Sequence, residues 1–298
     1  MKQFLLKKNP DRDGLVRICG KEYHYLVHVR RVKPGDVFNA RLPDSPPACL
    51  VKVTVCSIND NTLTGSVKTM EQSGDNPKQQ TAIVLFQALP RGTRMDLIIR
   101  QAAELEINEV VSFVSEYSTL QKKSIDERLE RWRRIIKEAR QQSGSFVNTK
   151  VRGIQTVNGL LAYWEELRAG TSGETLGLVF SPSAMVYPTE SQGVDSENRG
   201  SPLAGGENAA SGTLQILSNP LAQGSFHRYL NKKPALTALA VGPEGGFSGS
   251  ELNCFLNAGF KLLSFGTTVL RTETASLFTA AAVKIILQEG ALWMLKQQ

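Results

Sequence analysis

The chain has 298 residues, a net charge of +7 and an isoelectric point of about 9.2, and 41% of its residues are hydrophobic. This composition is typical of a globular protein with a substantial core, and no apolar run is long enough to span a bilayer. Nothing near Met1 resembles a signal peptide, so we expect a soluble cytoplasmic protein with no membrane partner. The positive charge favours a polyanionic partner such as nucleic acid without establishing one.

The first part of the chain, from Met1 to about Ser73, has the pattern of a small all-β unit. Short apolar runs alternate with turn signals such as Lys33–Asp36, which is the spacing of strands in a small barrel. We expect one helical piece at Lys21–Arg31. We expect strands at Phe4–Leu6, Leu15–Ile18, Val37–Ala40, Cys49–Cys56 and Thr62–Val67.

After a polar linker at Glu71–Gln80, strands alternate with helices, which is typical of a parallel sheet covered by helices. The predicted strands are Thr81–Ala88, Val110–Val114, Leu176–Phe180, Ala235–Val241 and Lys261–Ser264. The predicted helices are Asp96–Leu105, Ile125–Gln142, Leu160–Arg168, Gly249–Ala258 and Thr274–Gln288. The stretch Pro182–Gly212 is rich in Ser, Gly, Asn and Pro, and we expect it to be a disordered surface insertion.

Cysteines and histidines give no sign of a metal site or a disulfide framework. None of the cysteines forms a CxxC pair, and the histidines do not cluster with them. We therefore expect reduced cysteines and no bound metal. The cysteines are Cys19, Cys49, Cys56 and Cys254, and the histidines are His24, His28 and His227.

The segment Leu239–Ser248 carries the sequence LAVGPEGGFS between a predicted strand and a predicted helix. In an open α/β sheet, ligands bind beyond the carboxyl ends of the strands, where this loop is expected to lie. Glycines allow the backbone to approach a ligand closely, and the spacing fits neither a phosphate loop nor a dinucleotide fingerprint. The loop therefore suits a ligand such as an adenine ring held by backbone groups. The alternative is a tight turn in which Ser248 caps the following helix.

A second segment, Phe265–Ala275, leads from a predicted strand through FGTTVLRTETA into the last helix. Thr272 is a candidate helix cap, and Glu273 would complement the helix dipole. The functional interpretation is that Arg271 faces the same pocket as the glycine loop, where a guanidinium could steady an anion or a polarised carbonyl.

These two segments, GPEGGFS and LRTETA, resemble motifs of the bacterial 16S ribosomal RNA (uracil-N3) methyltransferases of the RsmE type, which belong to the SPOUT superfamily. The resemblance extends over nearly the whole chain, through His24–Asp36, Gln87–Ile99, Glu104–Leu105 and Arg131–Gly144. The chain departs from the pattern of that family at Glu106, where Gly is usual, and also at Ser145, Phe265 and Thr268.

The resemblance implies an α/β fold in which a SPOUT-type trefoil-knotted parallel-sheet methyltransferase domain at residues 78–298 follows a small PUA-like β-barrel at residues 1–73. It implies methylation of N3 of a uridine in 16S ribosomal RNA of the small subunit, with S-adenosyl-L-methionine as cofactor. It also implies a homodimer. The target base must leave its stack for N3 to reach the methyl group.

The site residues follow from the two segments and from the resemblance. The candidate catalytic residues are Arg271, which would stabilise the developing N3 anion, and Glu273, which would accept the proton or serve the helix terminus. The candidate cofactor-binding residues are Val241, Gly242, Pro243, Glu244, Gly245, Gly246, Phe265, Gly266, Val269, Leu270, Thr274 and Ala275. The candidate RNA-binding residues are His24, Arg30, Arg31, Lys33, Arg91 and Arg94.

One predicted helix and the function itself leave alternatives open. Arg133, Lys137 and Arg140 share one face of their helix, which is either solvated or turned toward RNA. A SPOUT methyltransferase for another ribosomal or transfer RNA site, a non-catalytic RNA-binding assembly factor and a nucleotide-binding α/β protein are the alternative functions. Cofactor binding and the position of the methylated nucleotide would separate them.

Overall fold

A computed structural model of the chain describes residues 3–43, 50–69, 81–118, 125–154, 156–181, 187–188, 214–215, 230, 233–263 and 268–288. These residues form a five-stranded N-terminal sheet and a six-stranded sheet with helices on both faces. All of the predicted linker Glu71–Gln80, and all of the predicted insertion Pro182–Gly212 except residues 187–188, lie outside them. Within these ranges, every helix is too short or too polar to cross a bilayer.

The strands of the N-terminal sheet are β1 (Phe4–Leu5), β2 (Leu15–Cys19), β3 (Val37–Arg41), β4 (Leu50–Asn59) and β5 (Thr62–Thr69). Their order across the sheet is β1-β3-β4-β5-β2, with β1 parallel to β3 and the other neighbours antiparallel. Its core forms from alternate residues such as Val51, Val53 and Val55, which are at most 1% exposed. The short helix α1 (Lys21–His24) continues as a π-helical turn at Tyr25–Val29, as the predicted helical piece requires.

The strands of the larger sheet are β6 (Ala82–Ala88), β7 (Glu109–Phe113), β8 (Lys150–Ile154), β9 (Thr175–Phe180), β12 (Leu236–Val241) and β13 (Lys261–Leu263). Their order across the sheet is β13-β9-β12-β6-β7-β8, and all neighbouring strands are parallel. A two-stranded antiparallel pair, β10 (Tyr187–Pro188) and β11 (Leu214–Gln215), begins inside the predicted insertion. The helices are α2 (Arg94–Glu104), α3 (Ile125–Ser143), α4 (Val157–Ala169), α5 (Gly249–Asn257) and α6 (Thr272–Gln288).

Strand β8 was not expected from the sequence. It lies at the edge of the sheet beside β7, and its sequence KVRGI alternates charged residues with apolar ones and glycine. Arg152 extends from this edge to Glu109 of β7, with its Nε 3.3 Å from the carboxylate Oε1. A short, charged edge strand lacks the continuous apolar run that marked the buried parallel strands.

Two apolar layers hold the helices against the sheet. On one face, Leu85 and Leu239 pack in a cluster with residues of α2, α3 and α6, including Ile98 and Trp132. On the other face, Phe86 packs in a cluster with residues of α4 and α5. Because consecutive strand residues point to opposite faces, β6 and β12 contribute to both layers and are buried along most of their length. The central strands therefore fix the loops that follow them.

Helix α3 also contacts the N-terminal unit. The contact includes the basic face of Arg133, Lys137 and Arg140, which was expected either to be solvated or to face RNA. Gln3 donates from Nε2 to the backbone oxygens of Arg140 (3.0 Å) and Ser145 (2.8 Å). Lys137 Nζ lies 2.9 Å from Glu22 Oε1 on α1. Arg140 is only 8% exposed. Lys137 and Arg140 therefore lie at the interface between α3 and the N-terminal unit, whereas Arg133 is exposed.

Candidate active site

The carboxyl ends of β6 and β12 lie side by side at one edge of the larger sheet. The register pairs Gln87 with Val241, so the chain leaves both strands at the same level. Leu89–Thr93 connects β6 to α2, and Gly242–Ser248 connects β12 to α5. The amino end of α6 reaches the same place, where Thr272 Oγ1 donates to Gly242 O at 2.7 Å. The two segments singled out from the sequence are therefore joined by a direct hydrogen bond.

Gln87 is the side chain that holds this edge together. It is fully buried, and its Nε2 donates to Ala88 O at 2.9 Å and to Thr272 Oγ1 at 3.1 Å. Its Oε1 accepts from Ser276 Oγ, one turn further along α6. We call Gln87, Thr272, Ser276 and the Gly242 carbonyl the clasp. A buried amide whose donors and acceptor are used fixes the start of α6 against β6 and β12.

The clasp changes the interpretation of Thr272 as a helix cap. Its hydroxyl donates to Gly242 O and accepts from Gln87, so it serves tertiary contacts. Gln87 itself was not predicted as a site residue. The only signal was one polar residue in the apolar run AIVLFQA, which shows that the side chain needs buried partners but not which ones.

The glycine loop is compact because its residues lack side chains at two close approaches. A β-carbon at Gly242 would lie 2.9 Å from the carbonyl carbon of Gly246, and one at Gly245 would lie 2.9 Å from Cβ of Tyr117. Gly246 has a φ of 72°, and its amide donates to Pro243 O at 2.9 Å to close a turn. This backbone conformation favours glycine.

Ser248 begins α5 with a complete capping box, as the turn interpretation of this loop predicts. Its Oγ accepts from the amide of Glu251, and the Glu251 carboxylate accepts from the amide of Ser248 at 3.0 Å. The other carboxylate oxygen of Glu251 accepts from the amide of Glu116 at 2.8 Å, which fastens the loop after β7 to the start of α5. The glycine loop is therefore both a firm turn and a backbone surface at the strand ends.

An ion-pair network links the glycine loop to α2 and α6. Glu244 accepts from the amide of Arg91 at 3.0 Å and from Arg94 Nη1 at 2.6 Å. Arg94 Nε also lies 3.5 Å from Glu273 Oε2, and these two atoms form an ion pair without a hydrogen bond. Arg94, predicted as an RNA-binding residue, thus bridges one predicted cofactor residue and one predicted catalytic residue. The Arg94 guanidinium therefore attracts both carboxylates and brings the glycine loop and the start of α6 toward α2.

Beyond the clasp, the second segment presents an open surface. Val269 is 72% exposed, and Arg271 and Thr274 are also exposed. Ala275 is half-buried and packs against the core, and Leu270 is half-buried. An apolar side chain as exposed as Val269 leaves area that a ligand or another protein chain can cover. Phe265 and Gly266, which were predicted to bind cofactor, lie outside the described residues.

The remaining predicted RNA-binding residues lie on the N-terminal unit. The His24 ring is 4.8 Å from the His28 ring at the end of α1. Arg30, Arg31 and Lys33 follow the π-helical turn, and all three are exposed, whereas Val32 between them is half-buried. Arg31 has a φ of 55°. These four residues belong to the N-terminal unit, whereas Arg91 lies in the loop after β6 and Arg94 is the first residue of α2.

Comparison with known proteins places the chain among RNA-modifying enzymes. The sequence model of the RNA methyltransferase domain matches residues 77–200 and 207–284. The chain is 25% identical over 292 residues to ribosomal RNA small subunit methyltransferase E 2 of Borreliella burgdorferi, covering 97% of this chain and 99% of the relative. It is 26% identical to ribosomal RNA small subunit methyltransferase E of Synechocystis, covering 93% of this chain and 75% of the relative.

The solved structures agree with the described fold. A ribosomal RNA small subunit methyltransferase E from Neisseria gonorrhoeae, bound to S-adenosyl methionine, superposes with a TM-score of 0.65 at 21% identity, covering 96% of this chain and 98% of that chain. A probable rRNA-methyltransferase from Porphyromonas gingivalis superposes with a TM-score of 0.61 at 22% identity, covering 96% and 98%. Among the described residues, no group of three histidine, cysteine or acidic side chains is arranged to hold a metal ion.

Proposed function

The chain belongs to the RNA methyltransferase domain family, and from this we propose that it transfers a methyl group from S-adenosylmethionine to N3 of a uridine in 16S ribosomal RNA of the small subunit. The clasp carries the proposal, because it joins Gly242 of the first motif segment to Thr272 of the second, 30 residues further along the chain, at one edge of the sheet. Relatives named as small-subunit ribosomal RNA methyltransferases align over almost the entire chain, which supports the same substrate.

The residues at this edge suit S-adenosylmethionine. The glycine loop offers backbone groups without side chains, and the exposed Val269 offers an apolar surface for an adenine ring. When bound, the cofactor supplies a methyl group on a positively charged sulfur that is open to attack by nitrogen. We propose that it is held by Val241, Gly242, Pro243, Glu244, Gly245, Gly246, Phe265, Gly266, Val269, Leu270, Thr274 and Ala275.

The side chains that could act on the base lie at the start of α6. The uracil N3 proton is weakly acidic and must leave before or during attack, so a positive group beside the base would lower the barrier. Arg271 is exposed just before α6 and is available for that role. Glu273 lies in the first turn of α6, with its Oε2 3.5 Å from Arg94 Nε, and its carboxylate could accept the proton. The clasp orients both residues through the first turn of α6.

The finer architecture is also proposed. Residues 1–73 would form a PUA-like barrel that docks on RNA through His24, Arg30, Arg31 and Lys33, and residues 78–298 would form the knotted SPOUT domain. A homodimer is supported by exposed apolar side chains on α2 and α6, namely Leu97, Phe278 and Ile285. A cytoplasmic location follows from ribosomal RNA as substrate.

The proposed function is tested by transfer of a labelled methyl group. The purified chain is incubated with S-adenosylmethionine and small ribosomal subunits that lack the modification, and the labelled nucleoside is identified after digestion. N3-methyluridine at one position of 16S RNA is expected. Label in another RNA would favour a different SPOUT target, and cofactor binding that fails altogether would favour an assembly factor without catalysis.

Arg271→Ala is expected to lower turnover by about 100-fold to 1,000-fold, the usual cost of removing one group that stabilises developing charge. Its affinity for S-adenosylmethionine should change by less than about threefold, because a group that acts in the transition state contributes little to cofactor binding. Single-turnover methyl transfer and calorimetric titration measure the two quantities.

Arg168→Ala is the matched control, since Arg168 is an exposed arginine of α4 that pairs with Glu165. It should leave both quantities unchanged. If Arg271→Ala turns over as fast as the unmodified chain, Arg271 has no role in the reaction.

A further inference from the structure

A cavity of about 390 Å³ lies between the N-terminal sheet and α3, and no residue of the strand-end loops lines it. Leu5 and Leu6 lie on one side of it, and Ile136 lies on the other. Its described lining contains no aspartate or glutamate. It contains five cationic side chains, which are Lys7, Arg41, Arg133, Lys137 and Arg140.

The described residues place a carboxylate, that of Glu22, beside this cluster. Glu22 pairs with Lys7 Nζ at 2.7 Å and with Lys137 Nζ at 2.9 Å, so one carboxylate serves two amines. Arg41 donates from Nε to the neutral amide oxygen of Gln3 at 3.0 Å. The three arginines in the lining therefore add to a strongly positive wall. Like charges gathered at a partly buried site cost free energy unless an anion offsets them.

Arg140 shows that cost directly. It is 8% exposed, and burial together with the charge of Arg41 lowers the pKa of its guanidinium. Its Nη1 donates to Asn148 Oδ1 at 2.7 Å, whereas its Nε has no hydrogen-bond partner among the described residues. The Thr149 hydroxyl, also in the lining and 5% exposed, likewise lacks a partner there. Buried donors without acceptors are uncommon, and a bound anion is one arrangement that would satisfy them.

We propose that this cavity is a binding site for a phosphate group, held between Lys7 and Arg41 of the N-terminal sheet and Arg133 and Arg140 of α3. Guanidinium groups match the oxygens of phosphate in pairs, which explains why three arginines converge here. The volume admits a phosphate with an attached sugar. The phosphate comes either from the RNA backbone, which rests on the proposed function, or from free phosphate, which does not. In both cases its binding would fasten the N-terminal sheet to α3.

The first test compares thermal unfolding in phosphate and in chloride at the same ionic strength. Inorganic phosphate at tens of millimolar should raise the unfolding temperature of the full chain by about 2 °C or more above chloride. Lys7→Gln and Arg133→Gln should each lose at least half of that rise. Their neighbours Lys8 and Arg134 are exposed and do not line the cavity, so Lys8→Gln and Arg134→Gln are the matched controls and should keep it.

No phosphate-specific rise in the unmodified chain, or equal losses in all four variants, would overturn the proposal. The source is then identified with a fragment of small-subunit RNA at constant ionic strength. If the site takes an RNA phosphate, inorganic phosphate competes with the RNA and Arg133→Gln weakens RNA binding about threefold to tenfold. If the site takes free phosphate, neither inorganic phosphate nor Arg133→Gln changes the affinity for RNA. Failure of the unmodified chain to bind RNA would contradict the proposed function, while the phosphate comparison still decides this site.

Discussion

Replacing Gly242 with alanine is expected to weaken binding of S-adenosylmethionine by about tenfold to 100-fold, which corresponds to about 1–3 kcal/mol of strain from overpacking. The new β-carbon would lie 2.9 Å from the carbonyl carbon of Gly246 and 3.0 Å from its Cα. Both are backbone atoms, so the loop itself must open. Opening it would also pull the Gly242 carbonyl away from Thr272.

Calorimetric titration with S-adenosylmethionine and urea unfolding measure this prediction. Gly249→Ala is the matched control, because a β-carbon at Gly249 meets no atom within 4 Å and the residue lies at the start of α5. The control should bind as the unmodified chain does and be equally or slightly more stable. A folded Gly242→Ala chain with unchanged affinity would show that the cofactor does not depend on the glycine loop.

The second large effect is expected from Gln87→Met, a substitution of similar size that removes the polar centre of the clasp. Gln87 is fully buried, and its loss leaves the Ala88 carbonyl and the Ser276 hydroxyl without this partner. The free energy of unfolding should fall by about 2–4 kcal/mol, because several buried hydrogen bonds are lost together. Cofactor affinity should fall as well, since α6 is no longer held against β6.

Gln101→Met is the matched control for this prediction. Gln101 lies on α2, and its side-chain oxygen is buried without a hydrogen-bond partner among the described residues. The same chemical change should therefore be neutral or slightly stabilising there. Equal losses of stability in the two variants, measured by urea unfolding, would mean that the clasp contributes no more than an ordinary glutamine.

Most of the larger sheet could be predicted because buried parallel strands have continuous apolar sequences. The run Thr81–Ala88 becomes β6 at Ala82–Ala88, and Ala235–Val241 becomes β12 at Leu236–Val241. Strand β8 was missed because an edge strand needs only one buried face and carries charges on the other. Sequence pattern therefore indicates burial, and elements that are only half-buried give a weaker signal.

Periodicity identified the basic face of α3 but could not show what covers it. The spacing of Arg133, Lys137 and Arg140 places them on one face, which is correct. The partner of that face, Glu22 and the N-terminal sheet, lies more than 100 residues away along the chain. A contact at such a separation leaves no local mark in the sequence.

The candidate site was predicted in part for the same reason. Arg271 and the glycine loop were expected to face one pocket, and the neighbouring Thr272 donates a hydrogen bond to Gly242 of that loop. The clasp by Gln87 and the bridge by Arg94 depend on side-chain positions that no motif records. Glu106, where the resembling family usually has Gly, adopts a φ of 60° and pairs with Lys284 Nζ at 2.7 Å. An ion pair thus accompanies a left-handed conformation that ordinarily favours glycine.

The most direct measurement is a crystal structure of the chain grown with S-adenosylmethionine. Electron density for the cofactor should lie against Gly242–Gly246 on one side and Val269–Ala275 on the other, with its methyl group toward Arg271. Density bound to any other surface, or a fully formed clasp with no cofactor at saturating concentration, would contradict the proposed site and the reaction assigned to it.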